Sequence, residues 1–301
     1  MFRDTDIPQS AGGRGSIAYR LHPAQRIAVH ALLLALCIPF ALPLVWMVST
    51  SFMDDSQLFG ADGDRGAGTI RNLVPRPLRW ENYVDATNAV PIGTPLRNTL
   101  YLCSMNVVGA VVSSAVVAYG FARMRFRGRE LLFVLMIGTM ALPAQVTMIP
   151  VFALFRWLGW YGTYLPLIVP AFFGSAFYVF LLRQFFQTIP EELAEAARID
   201  GASEWRIFWQ IMLPLAKPAL ATCALFEFMS TWNDYLGPLL YINDPQRYTL
   251  AYGLEQFMSS YGGRWAQLMA GTTLFTVPVV VLFFLAQRTF IQGIATTGGK
   301  S

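Results

Sequence analysis

The sequence is poor in charged residues. Asp, Glu, Lys and Arg make up 13% of its 301 residues and hydrophobic residues 55%, whereas soluble domains carry about 25% charged residues. A charged side chain costs roughly 2.5–3.5 kcal/mol at the centre of a transmembrane helix. The shortage of charge therefore indicates that much of the surface faces lipid, and it excludes an ordinary soluble domain.

Histidine and cysteine are also scarce. The two histidines, His22 and His30, are too few for a histidine-based metal or catalytic cluster. The three cysteines, Cys37, Cys103 and Cys223, lie in apolar stretches without metal-ligand spacing, and we expect them to be small buried hydrophobic side chains. No Ser/His/Asp set is evident, so the sequence predicts no metal site and no enzyme active site.

The net charge of +4 does not indicate a nucleic-acid partner. The basic residues cluster beside apolar segments and do not form a stripe with interleaved aromatic residues, as a nucleic-acid surface would.

Six apolar runs are long enough to cross about 30 Å of hydrocarbon as helices. They are 27–50, 99–122, 131–155, 164–182, 218–242 and 266–287. The first run resembles a signal peptide, but it exceeds the usual 7–15 apolar residues and lacks a small-residue cleavage site, so we expect a retained helix. The sequence thus predicts an all-α, polytopic membrane helix bundle with six transmembrane helices.

Basic residues set the predicted orientation. The short segment 123–130 holds four arginines, Arg123, Arg125, Arg127 and Arg129, which are difficult to translocate. If this segment is inside, both termini (1–26 and 292–301) are cytoplasmic, and the loop 51–96 is external with a short helix near residues 80–88. Five small residues of the second run suit close helix packing: Gly109, Ser113, Ser114, Ala118 and Ala122.

The predicted inside loop 188–217 has its own helix signals. Thr188 and Glu191 have capping-box spacing, and Gly201 suits the end of a helix. Ser203 then starts a second helix, which Pro214 and Pro218 end. Four residues of that helix have the spacing of one apolar face: Trp205, Phe208, Trp209 and Met212. From the residues alone, this helix either lies on lipid or docks into a soluble partner.

The loop also carries a longer pattern. Glu195-Ala196-Ala197 is followed by Gly201 and then by Ile211-x-Leu213-Pro214, just before the penultimate apolar run. This pattern resembles the EAA loop of binding-protein-dependent ABC importer permeases. The resemblance covers roughly residues 94–291 and implies the type I ABC importer transmembrane fold. Arg198-Ile-Asp-Gly-Ala, Trp232-Asn233-Asp234 and Phe290-Ile-Gln-Gly-Ile-Ala are similar to the maltose-type carbohydrate branch, particularly its second permease subunit.

The resemblance implies partners and a mechanism. Two ATP-binding subunits, which hold ATP and Mg, a second homologous permease and an extracytoplasmic sugar-binding protein complete such an importer, in the bacterial plasma membrane. This chain itself would bind no cofactor and would not hydrolyse ATP. Seven residues are implied in ATPase coupling: Glu195, Ala196, Ala197, Asp200, Gly201, Leu213 and Pro214.

Four residues are candidates for the sugar path: Glu227, Trp232, Asn233 and Asp234. Glu227 and Asp234 are seven positions apart, which predicts nearly one face of the fifth helix, and carboxylates inside a membrane normally face a bundle interior or an aqueous cavity. Two alternatives stay open. One is a permease for another small polar solute, such as glycerol phosphate. The other is a proton-coupled secondary transporter that uses Glu227 and Asp234, although no internal repeat is evident.

Overall fold

A computed structural model describes residues 23–59, 74–89, 92–260 and 264–298. Its described part is helical and contains no β-strand. The chain divides into two compact units, Met1–Trp46 and Met47–Ser301, and the second unit contains the helix bundle.

The first helix, α1, covers Pro23–Thr50. Its 28 residues correspond to about 42 Å of helix, which exceeds the roughly 30 Å hydrocarbon core. The helix contains Pro39 and Pro43. Cys37 is exposed on it, so the expectation of a buried side chain is wrong for this cysteine, whereas Cys103 and Cys223 are buried as predicted.

Two short helices follow in the loop predicted to be external, α2 (Asp55–Phe59) and α3 (Glu81–Ala89). The Asn82 side-chain amide donates to the carbonyl oxygens of Ser51 (3.0 Å) and Met53 (2.7 Å). These bonds fix α3 against the segment that follows α1, and α3 is the short helix expected near residues 80–88.

The long helix α4 (Gly93–Arg123) is the centre of the bundle. It packs against α8 (Ala176–Thr188) and α12 (Lys217–Trp232), which follow later in the chain. A Cβ atom added at Gly109 would lie 2.8 Å from the ring of Phe172, and Ser114 and Ala118 are fully buried. The small residues of α4 therefore permit close packing, as predicted.

The third apolar run is not one straight helix. It forms α5 (Arg129–Thr139) and α6 (Ala144–Trp157), which meet at a bend of 97°. Pro143 has an extended backbone conformation and immediately precedes α6. Because proline disfavours a helical conformation in the residue before it, the helix ends before Pro143 and restarts after it.

The fourth run forms α7 (Leu165–Ile168), a 3₁₀ turn (Val169–Phe173) and α8. After α8 come α9 (Glu191–Ile199), α10 (Glu204–Ile207), a π-helical turn (Phe208–Met212) and α11 (Leu213–Leu215), and then α12. The chain continues with α13 (Leu236–Tyr241), α14 (Leu250–Ser260) and α15 (Trp265–Gly298).

The described residues contain four helical segments long and apolar enough to span a membrane, or six if each of two bent pairs counts as one span. The bent pairs are α5 with α6, and the segment Glu204–Leu215 with α12 at 78°. Six is thus the upper count, and the second bend lies at the end of the loop 188–217, before the predicted run 218–242 rather than within it.

Candidate functional site

Helix α9, the first helix of the loop 188–217, begins after a proline and has no capping box. Pro190 is the N-cap of α9 and offers no side-chain cap. The Thr188 hydroxyl instead donates to the Phe185 carbonyl oxygen (2.7 Å) in the last turn of α8. The predicted pairing of Thr188 with Glu191 is therefore wrong, although Glu191 and Glu192 do lie in the first turn of α9, where the helix dipole favours acidic groups.

Gly201 makes the turn that ends α9. Its φ is +80°, a left-handed conformation that costs other L-residues roughly 1–2 kcal/mol. No atom lies within 4 Å of the place where a Cβ would stand, so the requirement for glycine is conformational. The Ser203 side chain then accepts a hydrogen bond from the Arg206 backbone amide (3.3 Å), which confirms the predicted cap.

The second helix of the loop is divided by the π-helical turn. Phe208 and Met212 are buried, whereas Trp205 is 59% and Trp209 46% exposed. The four predicted apolar side chains therefore divide between the core and the surface, and Ile207 joins Phe208 and Met212 in the core.

The predicted coupling residues lie mostly on one exposed part of the loop. Ala197 and Leu213 pack against the buried core, and the other five are exposed: Glu195, Ala196, Asp200, Gly201 and Pro214. Ile199 is 86% exposed and Trp205 59% exposed on the same short segment. Sequence reasoning missed Ile199, although it lies about 140° around α9 from the buried Ala194.

A polar link connects this loop to α4, and sequence reasoning also missed it. The Tyr119 hydroxyl donates to Glu204 Oε2 (2.6 Å), and Arg198 Nε donates to Glu204 Oε1 (2.6 Å). Tyr119 is only 5% exposed. The hydrogen bond from the Arg198 guanidinium lowers the pKa of the Glu204 carboxyl most, and the hydrogen bond from the Tyr119 hydroxyl lowers it further. Three residues thereby tie α9, α10 and α4 together.

Two arginines, one at the end of α4 and one in α8, join these two helices to each other. Arg123 donates to the carbonyl oxygens of Phe186 and Ile189 at the end of α8, where a positive charge suits the helix dipole. Arg183 of α8 donates in return to the Phe121 carbonyl oxygen (3.4 Å) and lies 4.0 Å from the centre of the Phe133 ring. The loop therefore starts from two helices that are held to each other.

The four sugar-path candidates do not share one surface. Trp232 is fully buried and stacks with Phe228. Helix α12 ends at Trp232, and Asp234 Oδ1 accepts from the Gly237 amide (2.9 Å) beyond it, while Asn233 is exposed. Glu227 and Asp234 are thus not on one helix face, which corrects that expectation. Glu227 lies within the bundle, next to Tyr178 and Thr231.

Among the described residues, no group of three or more His, Cys, Asp and Glu side chains is placed to hold a metal ion.

Comparisons with known proteins agree with the family resemblance that the EAA pattern suggested. Residues 110–296 match the family described as "Binding-protein-dependent transport system inner membrane component". YurM of Bacillus subtilis, described as a probable ABC transporter permease protein, is 33% identical over 87% of this chain and 85% of its own length. The sn-glycerol-3-phosphate transport system permease protein UgpE of Yersinia pestis is 35% identical over 89% of this chain and 95% of its own.

Two further similarities concern saccharides. The arabinooligosaccharides transport system permease protein AraQ of Halalkalibacterium halodurans is 33% identical over 86% of this chain and 90% of its own. A chain from the crystal structure of a bacterial ABC transporter involved in alginate import superposes with a TM-score of 0.75 and 25% identity, covering 89% of this chain and 98% of that chain. The chain therefore belongs to the inner-membrane components of binding-protein-dependent transport systems, the permease subunits of ABC importers.

Proposed function

We propose that this permease forms part of the pore of an ATP-driven sugar importer and is coupled to its ATPase through the loop 188–217. The observation that carries the proposal is the exposed surface of Glu195, Ala196, Asp200 and Gly201, beside a highly exposed Ile199. An apolar side chain exposed beside a carboxylate, on a loop held to the bundle through Glu204, suits docking to a partner protein better than contact with water.

Each coupling residue has a role in this proposal. Glu195 pairs with a basic group in a groove of the ATPase, and Ala196 and Ala197 allow close approach. Gly201 and Asp200 form the turn, and Leu213 and Pro214 lead the loop back into α12. Members of the family are transmembrane subunits, so the chain is not an enzyme. ATP and Mg belong to two partner ATP-binding subunits.

The remaining partners follow from the same assembly. A second homologous permease completes the pore as a heterodimer, and an extracytoplasmic binding protein delivers the sugar. The chain is multi-pass in the bacterial plasma membrane with both termini cytoplasmic, which places the arginine-rich segment 123–130 and the loop 188–217 inside and the loop 51–96 outside. The core domain is 94–291.

The substrate class rests on charge and on the relatives. The parts of α4, α8 and α12 at 98–122, 176–182 and 218–232 contain no Lys or Arg, whereas an anionic solute would favour cations along its path. A relative named for arabinooligosaccharides supports a saccharide, and so does the solved importer of alginate, but alginate is an acidic polysaccharide and does not support a neutral one. Glycerol phosphate is the second candidate, because a relative of 35% identity is named for it.

Uptake into proteoliposomes tests this function. The chain is reconstituted with the ATPase, second permease and binding protein of its own bacterium, and uptake of arabinotriose, maltotriose and sn-glycerol-3-phosphate is measured. We expect ATP-dependent uptake of a neutral sugar that survives collapse of the proton gradient by an ionophore. Uptake that stops with the gradient and ignores ATP would instead support the secondary transporter.

A further inference from the structure

A second group of polar side chains lies in the bundle, away from the loop 188–217. Asn106 of α4 donates through Nδ2 to the Thr231 hydroxyl of α12 (3.2 Å). Thr231 makes a longer contact, 3.5 Å, to Glu227 Oε1, and the Tyr178 side chain of α8 lies beside the same carboxylate. We call these four residues, Asn106, Tyr178, Glu227 and Thr231, the polar cluster. Three membrane helices contribute to it.

The polar cluster retains unused capacity to accept hydrogen bonds. Asn106 is 8% exposed, and its Oδ1 is buried without a hydrogen-bond partner among the described residues. Native cores rarely leave such an atom unpaired, because the lost solvation costs about 1–3 kcal/mol. Glu227 also has acceptor positions beyond the contacts of Tyr178 and Thr231, since an ionised carboxylate offers about four.

The Glu227 carboxylate is partly exposed, and its own helix, α12, carries no basic residue near it. Glu227 is intermediate in burial, and Lys217, at the start of α12, is ten residues away, which is about 15 Å along the helix. A carboxylate within a membrane helix faces protein or an aqueous cavity rather than lipid. The side of α12 that carries Glu227 is therefore not expected to face the hydrocarbon.

Two aromatic rings adjoin the polar cluster, since the ring centroid of Phe177 lies 5.6 Å from that of Tyr178. Phe177 precedes Tyr178 in α8, and Phe226 precedes Glu227 in α12. Their ring centroids are 6.2 Å apart, and each side chain is 42% exposed. Partly exposed rings next to hydrogen-bond acceptors present an apolar face and polar groups together, which is the combination that a sugar ring with its C–H faces and hydroxyl groups requires.

We propose that the polar cluster, together with Phe177 and Phe226, forms a subsite for a neutral polyhydroxylated substrate on its way through the pore. Hydroxyl groups of the sugar donate to Glu227, and the rings contact the apolar face of the sugar. Tyr178 and Thr231 orient the carboxylate. An unneutralised carboxylate repels a phosphate, so the subsite favours sugars over sn-glycerol-3-phosphate. The inference rests on the proposed import function and replaces Trp232, Asn233 and Asp234 as path residues.

The test compares uptake by matched variants in the reconstituted complex, with the neutral sugar that the wild type transports as the probe. Glu227→Gln keeps the shape of the side chain but removes its charge. Tyr178→Phe removes only a hydroxyl group, and Thr231→Val removes the hydroxyl that links Asn106 to Glu227. Ser230→Ala is the control, because Ser230 is an exposed neighbour on α12 outside the polar cluster.

We expect Glu227→Gln to raise the KM for the sugar about tenfold or more, as loss of a charged hydrogen bond implies. Tyr178→Phe and Thr231→Val raise KM less, Ser230→Ala does not change it, and co-purification of the ATPase stays at wild-type level in all four. Unchanged KM in the three cluster variants, with normal assembly, overturns the subsite but leaves the importer function intact. Wild-type uptake of only sn-glycerol-3-phosphate overturns the sugar assignment itself.

Discussion

Glu204 is one of the residues that attach the loop 188–217 to the membrane helices. It accepts hydrogen bonds from Tyr119 of α4 and from Arg198 of α9. The ion pair alone is worth little, because the side chains of Arg198 and Glu204 are 35% and 41% exposed and water screens such pairs. The buried hydroxyl of Tyr119 is the stronger constraint, since it reaches the carboxylate from inside the bundle.

Replacing Tyr119 with Phe tests this attachment. The variant keeps the ring among Phe186 and Phe208 but loses the donor to Glu204. We expect a loss of about 1 kcal/mol in stability, which corresponds to a decrease of roughly 2–4 °C in the unfolding temperature of the purified protein. Tyr101→Phe is the control, because Tyr101 is 48% exposed on the same helix. An equal effect of the two substitutions would contradict the role of Tyr119.

At the scale of elements, the turn at Gly201 determines where α9 ends and how α10 follows. Gly201→Ala places a Cβ on a backbone with φ of +80°, so we expect a loss of roughly 1–2 kcal/mol. Gly120 is the matched control: it lies within α4, and there too no atom is within 4 Å of the place that a Cβ would occupy. Gly120→Ala should be neutral or stabilising by about 0.5–1 kcal/mol.

Thermal unfolding of the two glycine variants tests whether the turn at Gly201 requires a left-handed residue. A lower unfolding temperature for Gly201→Ala and no decrease for Gly120→Ala fits the conformational requirement. An unchanged temperature for Gly201→Ala would show that the turn does not need a left-handed residue.

Much of the element pattern follows from the sequence. Run length predicted the apolar helices, and Gly201 and Ser203 predicted the turn and the second helix, because these signals are local. The signals that failed compete with other local bonds. Thr188 closes the last turn of α8 instead of capping α9, and the spacing of apolar residues did not reveal the π-helical turn at Phe208–Met212. Periodicity cannot reveal a change in residues per turn.

The tertiary links were not predictable from one sequence. Tyr119 and Glu204 are 85 positions apart, and Asn106 and Thr231 are 125 apart. Nothing in their local sequence pairs them. The break after Trp232 was also missed, although Asn233 and Asp234 interrupt the run 218–242 there. Asp234 therefore lies beyond the end of the helix that carries Glu227.

At the scale of the whole molecule, the proposed orientation places the segment 123–130 inside and the loop 51–96 outside. Cys37, Cys103 and Cys223 are first replaced, and a single cysteine is introduced at Ser56 or at Arg127, which are both exposed. In intact spheroplasts, we expect a membrane-impermeant maleimide to label Ser56→Cys. It should label Arg127→Cys only after permeabilisation. The reverse pattern would invert the topology and place the loop 188–217 on the wrong side for an ATPase.

The coupling claim depends on the fit between the exposed loop surface and a soluble ATPase. Glu195→Arg reverses the one charge at the centre of that surface and leaves the buried contacts of Ala194 and Ala197 in place. Gly201→Pro changes the shape of the turn, because proline cannot adopt a positive φ. Glu192→Arg is the matched control, since Glu192 is equally exposed at the start of α9 but lies outside the EAA pattern.

Co-purification of the ATPase with the detergent-solubilised permease is the most direct measurement of this claim. We predict that the wild type and Glu192→Arg retain the ATPase, and that Glu195→Arg and Gly201→Pro lose it while remaining folded. Equal recovery of the ATPase with all four proteins, or none with a folded wild type, would contradict the account.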